Sequence, residues 1–157
     1  MSNKLAYHLT RMSLAFVYLY FGVLKFFDGC SPAESLAGQT IHLMTLKIVS
    51  AEFALIVLAV FETALGLLLL TDWFPRTAFV MFLIHMVGTF SPLILMPDVT
   101  FNGSPLMPTL VGQYIVKNVV YVAAVTAVYA PVLFGKKESR VGWSSRANRD
   151  FSLAVRN

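Results

Sequence analysis

Apolar residues along this chain fall into four long runs separated by polar stretches. The runs cover residues 9–27, 49–71, 76–96 and 112–134. Each is long enough to cross a hydrocarbon core of about 30 Å, which takes roughly 17–25 helical residues. Helices are the form to expect, because lipid offers no partner to an open backbone group. The predicted fold class is all-α, an integral-membrane four-helix bundle over residues 1–135, followed by a basic tail at 136–157.

The connections differ in kind. "DWFPR", residues 72–76, is very short, so the second and third spans form a tight antiparallel pair. Pro75 sits at the first turn of the third span, where a missing N–H does no harm. Residues 28–48 hold a segment, "SPAESLAGQTIHLMTLK", suited to a short helix at the membrane interface. Residues 97–111 hold three of the seven prolines and exclude one continuous helix.

Composition agrees with a membrane class. Of 157 residues, 57% are apolar and 13% charged, against about 45–50% and 25% in soluble domains. There is no room for a separate soluble catalytic module. The net charge of +4 matters less than its placement. Lys4, Arg11, Arg76 and the tail residues Lys136, Lys137, Arg140, Arg146, Arg149 and Arg156 fall on one side of the four spans. Lys47 lies on the other. Basic residues mark the cytoplasmic side, so both termini are expected there and the two long loops outside. The same charges then report orientation and not nucleic-acid binding.

One segment invites a different interpretation and does not sustain it. "YFGVLKFFDGC" ends in the only cysteine, as a lipoprotein signal does. Lys25 interrupts its apolar core, and Asp28 precedes Cys30 by two residues, so a retained span is expected. Cys30 has no second thiol with which to form an internal disulfide.

Five ionisable side chains lie within the spans away from the cytoplasmic edge: Lys25, Glu52, Glu62, His85 and Lys117. A charged residue at a helix centre costs about 2.5–3.5 kcal/mol on insertion scales, so such groups face the bundle interior and find partners. Glu62 and His85 are near the middle of two adjacent helices, so a hydrogen bond between them is geometrically open, and the sequence leaves Glu62 free to pair with His85 or with a lysine. Lys25, Glu52 and Lys117 lie in the outer thirds. Arg11, Tyr18 and Lys25 are seven apart and share one face with Gly22. Glu62 and Gly66 are at i,i+4, so a small residue lets a helix approach beside the carboxylate. In "QYIVKNVVY" Tyr114, Lys117 and Tyr121 share a face, with Asn118 next to it. The candidate binding residues are therefore Lys25, Glu62, His85, Tyr114, Lys117, Asn118 and Tyr121, arranged as a polar site opening outward between spans one, two and four. Against this stands a bland alternative. Lys25 and Glu52 can be interfacial, and a lone His85 is more often a packed, hydrogen-bonded residue than a ligand.

Motifs for metal or phosphate chemistry are missing: there is no CxxC, no HExxH and no Gly-rich loop. His8, His42 and His85 lie at three different depths, which predicts neither a metal site nor haem.

"FGVLKFF" closing span one, "ETALGLLLL" in span two and "VKNVVYVAA" early in span four resemble the DoxX-like family of small bacterial inner-membrane proteins. The resemblance covers about residues 9–135. It implies a four-helix membrane bundle, with family positions falling on Gly22, Lys25, Glu62, Gly66, Lys117 and Asn118. Some members are subunits of membrane oxidoreductases such as thiosulfate:quinone oxidoreductase. The long outer loops are more like the YkgB-like branch, and span two lacks a glycine often seen at its end.

Together these features give three expectations. The first is a multi-pass inner-membrane subunit of a quinone-linked oxidoreductase or redox complex, with a quinone as cofactor and a redox enzyme or other membrane subunits as partners. It expects Lys25 and Lys117 to point into an open cavity. The second is a non-catalytic scaffold or accessory subunit, homo-oligomeric or bound to partners, whose buried charges only fix helix packing. It expects closed Lys–Glu pairs. The third, a small transporter, needs a continuous polar path past Glu62, and the apolar cytoplasmic halves of spans one and four oppose it.

Overall fold

The computed structural model describes residues 3–27, 29–31 and 33–134. The basic tail at 136–157 lies outside the described residues, as does Asp28. The chain is all-helical in its main elements: α1 Asn3–Leu24, α2 Glu34–Met44, α3 Ala51–Thr71, α4 Pro75–Phe90, α5 Pro92–Leu95, α6 Pro97–Thr100, α7 Leu110–Val116 and α8 Asn118–Phe134. Among the described residues three helical stretches are long and apolar enough to cross a membrane, at Ala51–Thr71, Pro75–Leu95 and Leu110–Ala127.

Four long elements form a ring. α1 packs most closely on α3, α4 lies beside both α3 and α8, and α8 returns to α1. Buried residues from all four fill the centre, among them Leu14, Ala15, Leu65, Phe82 and Val125. The outer surfaces carry exposed Phe16, Ile56, Val60, Ile84, Val87 and Val120. A soluble protein would hide such residues; a hydrocarbon solvent does not require it.

Glycine sets the α1–α3 distance. A Cβ on Gly66 would lie 2.7 Å from Leu19 Cγ and 2.9 Å from the Leu19 backbone nitrogen. A Cβ on Gly22 would lie 2.9 Å from the Thr63 backbone nitrogen. The two helices thus approach through reciprocal glycines, one on each. Dispersion between close backbones drives such contacts in lipid, where no hydrophobic force acts between helices.

The α3–α4 turn is tied to the start of α1. Asp72 ends α3 in the left-handed region, at φ 59°. Its Oδ1 accepts from Tyr7 Oη at 2.6 Å. Arg11 Nη1 donates to the Leu69 and Leu70 carbonyls at 3.0 and 3.1 Å. These are carbonyls of the last turn of α3, which has no intrahelical donors left for them, and a cation suits that end of the helix dipole.

Two of the expected spans are interrupted at a single residue while the helical path continues, each for a local reason. Pro92 has no N–H, and Ser91 Oγ donates to the Gly88 carbonyl at 2.7 Å, so α4 stops and α5 restarts. At the α7–α8 break, Asn118 Nδ2 donates to the Tyr114 and Ile115 carbonyls, both at 3.1 Å. A carbonyl released inside a membrane must be satisfied within the protein. Asn118→Leu is therefore expected to cost about 1 kcal/mol, seen as a lower thermal midpoint in detergent. An unchanged midpoint would mean the break does not depend on this amide.

Candidate functional site

Glu62 sits in the middle of α3, buried, one turn before Gly66. The close approach that Gly66 and Gly22 allow brings the end of α1 against it. Just beyond that end, Lys25 turns inward, and its Nζ lies 2.6 Å from Glu62 Oε2. Only 6% of the Lys25 side chain and 8% of the Glu62 side chain remain exposed, so this is a buried ion pair and not a snorkelling lysine. The other carboxylate oxygen, Oε1, lies 3.0 Å from His85 Nε2 on α4. The Glu62–His85 contact that the sequence left open is present, and the carboxylate holds the lysine as well.

The chain of contacts continues. Tyr18 Oη lies 3.1 Å from His85 Nδ1. Thr89 Oγ1 donates to the His85 carbonyl at 3.0 Å and lies 3.3 Å from Nδ1. Phe61 stacks on the imidazole with 6.3 Å between centroids and 12° between planes, while Tyr18 meets it edge-on.

Chemistry fixes the direction of these bonds. A carboxylate only accepts, so Nε2 carries the proton that faces Glu62. In neutral imidazole Nδ1 is then the acceptor, and Tyr18 donates to it. The sequence reads Tyr18 O–H to His85 Nδ1, Nε2–H to Glu62, and Glu62 to the Lys25 ammonium. The Lys25 ammonium and the Glu62 carboxylate offset each other's charge. That is the arrangement a low-dielectric interior tolerates, since unpaired charge there costs several kcal/mol.

The remaining candidates lie elsewhere. The site was expected between spans one, two and four, but α1, α3 and α4 build it. The third span supplies His85, and the fourth supplies none of the array's hydrogen-bonding groups. Lys117 is exposed at the α7–α8 break, with its Nζ 3.9 Å from the ring centroid of Tyr114, itself exposed. Asn118 is occupied with the break. Tyr121, 39% exposed, lines a groove of about 340 Å³ between α1 and α8. That groove is bordered by Leu9, Ser13, Leu14, Val17, Val120 and Ala124 among others, and none of Lys25, Glu62, His85 and Lys117 lines it. Glu52 is exposed in the first turn of α3, where the helix dipole favours an acidic side chain.

Sequence reasoning left Tyr18 and Thr89 off the candidate set. The signal was there: Tyr18 is seven residues from Lys25, and Thr89 is four from His85. It also missed the second polar cluster, Tyr7, Arg11 and Asp72, where Arg11 Nη1 stands 3.8 Å from Asp72 Oδ2. Tyr7→Phe removes one buried-end donor and is expected to cost about 1 kcal/mol. An unfolding midpoint equal to that of the unsubstituted chain would show that Asp72 finds another donor.

The family model described as DoxX matches residues 6–96. The matched stretch runs from α1 through α5 and contains all of Tyr18, Lys25, Glu62, His85 and Thr89, whereas Lys117 and Asn118 lie beyond it. No curated protein and no solved structure matches the chain.

Proposed function

The chain belongs to the DoxX family and is a membrane-embedded, multi-pass protein, and on that premise we propose that it is a non-catalytic membrane subunit of a redox-linked complex. One observation supports this above others: both oxygens of Glu62 are engaged, one by Lys25 and one by His85. A closed array of this kind holds three helices in one register. In some proteins buried ionic groups serve specificity of packing more than stability, and this proposal assigns the array that role.

In this proposal α1 is the fourth crossing. Its 22 residues span about 33 Å at 1.5 Å per residue, and it packs along α3. Four crossings would put both termini on one side; Lys4, Arg11 and Arg76 support assigning that side to the cytoplasm, and the membrane proposed is a bacterial inner membrane. The partners are other membrane subunits or a redox enzyme.

A second reading, the quinone-linked one, is favoured by the direction of the array. Tyr18, His85 and Glu62 line up donor to acceptor, which is what a proton path to or from a quinone needs. The two readings part in one experiment. The double variant Lys25→Met with Glu62→Gln removes both charges and leaves His85 an acceptor. Gentle-detergent purification from native membranes, with mass spectrometry of co-purifying proteins and quinones, then compares it with the unsubstituted chain. Unchanged partners and unchanged partner turnover are expected for a packing role. Partners retained with quinone or turnover lost would overturn it in favour of the proton path.

A further inference from the structure

We propose that the face formed by α7, α8 and α1 binds an anionic phospholipid, with its phosphate on Lys117 and one acyl chain in the α1–α8 groove. Lys117 is the starting point. It lies seven residues into the α7–α8 span, about 10 Å along the helix from Leu110, and it is exposed on a helical stretch long and apolar enough to cross a membrane. No carboxylate among the described residues pairs with it. Its ammonium is held over Tyr114, one turn nearer the start of α7. Side chains on a helix lean toward its N-terminus, so the cation is turned toward the headgroup region, and Tyr114 stands where interfacial tyrosines are enriched.

The groove begins one turn on the other side of Lys117. Val120, Tyr121, Ala124 and Val125 line it from α8 and Leu9 to Val17 from α1. Its volume, about 340 Å³, falls in the range of small-molecule sites, roughly 300–1,000 Å³. A cation that leans back from within the span toward the headgroups, with an apolar groove running deeper along the same helix, has the polarity of an amphiphile. A second copy of the chain is a poorer fit. To neutralise Lys117 it would have to bring a carboxylate below the headgroup region, which is costly, whereas a phospholipid carries its anion at the membrane surface already.

The test uses the full chain in detergent, delipidated and then offered vesicles of phosphatidylglycerol or phosphatidylcholine, with bound lipid counted by native mass spectrometry. Phosphatidylglycerol is expected to be retained about fivefold over phosphatidylcholine, the fold-change of about 1 kcal/mol per basic residue near a membrane surface. Lys117→Gln should abolish the preference and Lys117→Arg should keep it. Ala124→Leu, which narrows the groove, should weaken retention of both lipids. Thermal midpoints of the variants confirm that each is folded, and Lys117 is exposed, so its substitution leaves the core intact. Equal retention of the two lipids, or a preference that survives Lys117→Gln, would overturn the proposal. So would a quinone in place of phospholipid at one per chain, or a dimer that shields Lys117.

Discussion

Glu62→Ala is expected to lower the unfolding free energy by about 3–5 kcal/mol, the cost of leaving one partner of a buried ion pair behind. Among the described residues, Lys25 would be left with the Phe21 carbonyl, 3.4 Å away. His85 would lose the acceptor at Nε2, and a buried donor without a partner adds to the loss. Loss on this scale is a large part of the roughly 5–15 kcal/mol that holds a typical domain together. Reversible unfolding in mixed micelles, followed by circular dichroism, measures it. The Lys25→Met, Glu62→Gln pair is expected to recover most of the loss, because no charge is left unpaired. The two effects are not additive, since the residues touch. If the double variant is as unstable as Glu62→Ala, the unpaired ammonium is not the cause, and the account of the array as an ion-pair clamp fails.

The second large effect is expected at Gly66. Gly66→Val places branched carbon where Leu19 and its backbone stand less than 3 Å from a Cβ position. The leucine side chain can turn away, but the backbone nitrogen cannot. α1 must retreat, at about 3 kcal/mol, the upper end of the usual overpacking range. The retreat also carries Lys25 away from Glu62, so the ion pair is strained by a residue that touches neither charge. Gly66→Ala should show a smaller loss in the same direction. Gly88, which has open space where a Cβ would go, is the control: Gly88→Ala should be neutral or raise stability by up to about 1 kcal/mol through helix propensity. The same unfolding titration reads all three. Gly66→Val within 0.5 kcal/mol or so of the unsubstituted chain would show that α1 and α3 are free to separate.

Much of this was legible before any coordinates. Runs of apolar residues announce helices in lipid because the backbone has no other way to satisfy its polar groups there. The tight α3–α4 pair followed from a five-residue link with Pro75 at the first turn of α4. Mid-depth Glu62 and His85 stood out because ionisable groups in hydrocarbon are costly, and their adjacency followed from the short link. Lys117 was harder. A lysine in an apolar run has the same pattern whether its helix face points to the bundle centre or to lipid. The face is decided by the break at Asn118 and by which neighbours α8 chooses, and neither is written in residue spacing.

What the sequence determined by itself is the all-helical membrane class, the costly mid-depth placement of Glu62 and His85, and the glycines that let helices approach. These follow from local composition and from period 3.6, which a single strand of text carries. What only the tertiary structure decided is the wiring. Glu62 holds Lys25 and His85 at once because two glycines bring α1 within backbone reach of α3. Tyr18 joins because α4 turns Nδ1 toward α1. Pairings between helices depend on distances of a few tenths of an ångström and on which faces meet, and those are set by packing across the bundle, not by order along the chain.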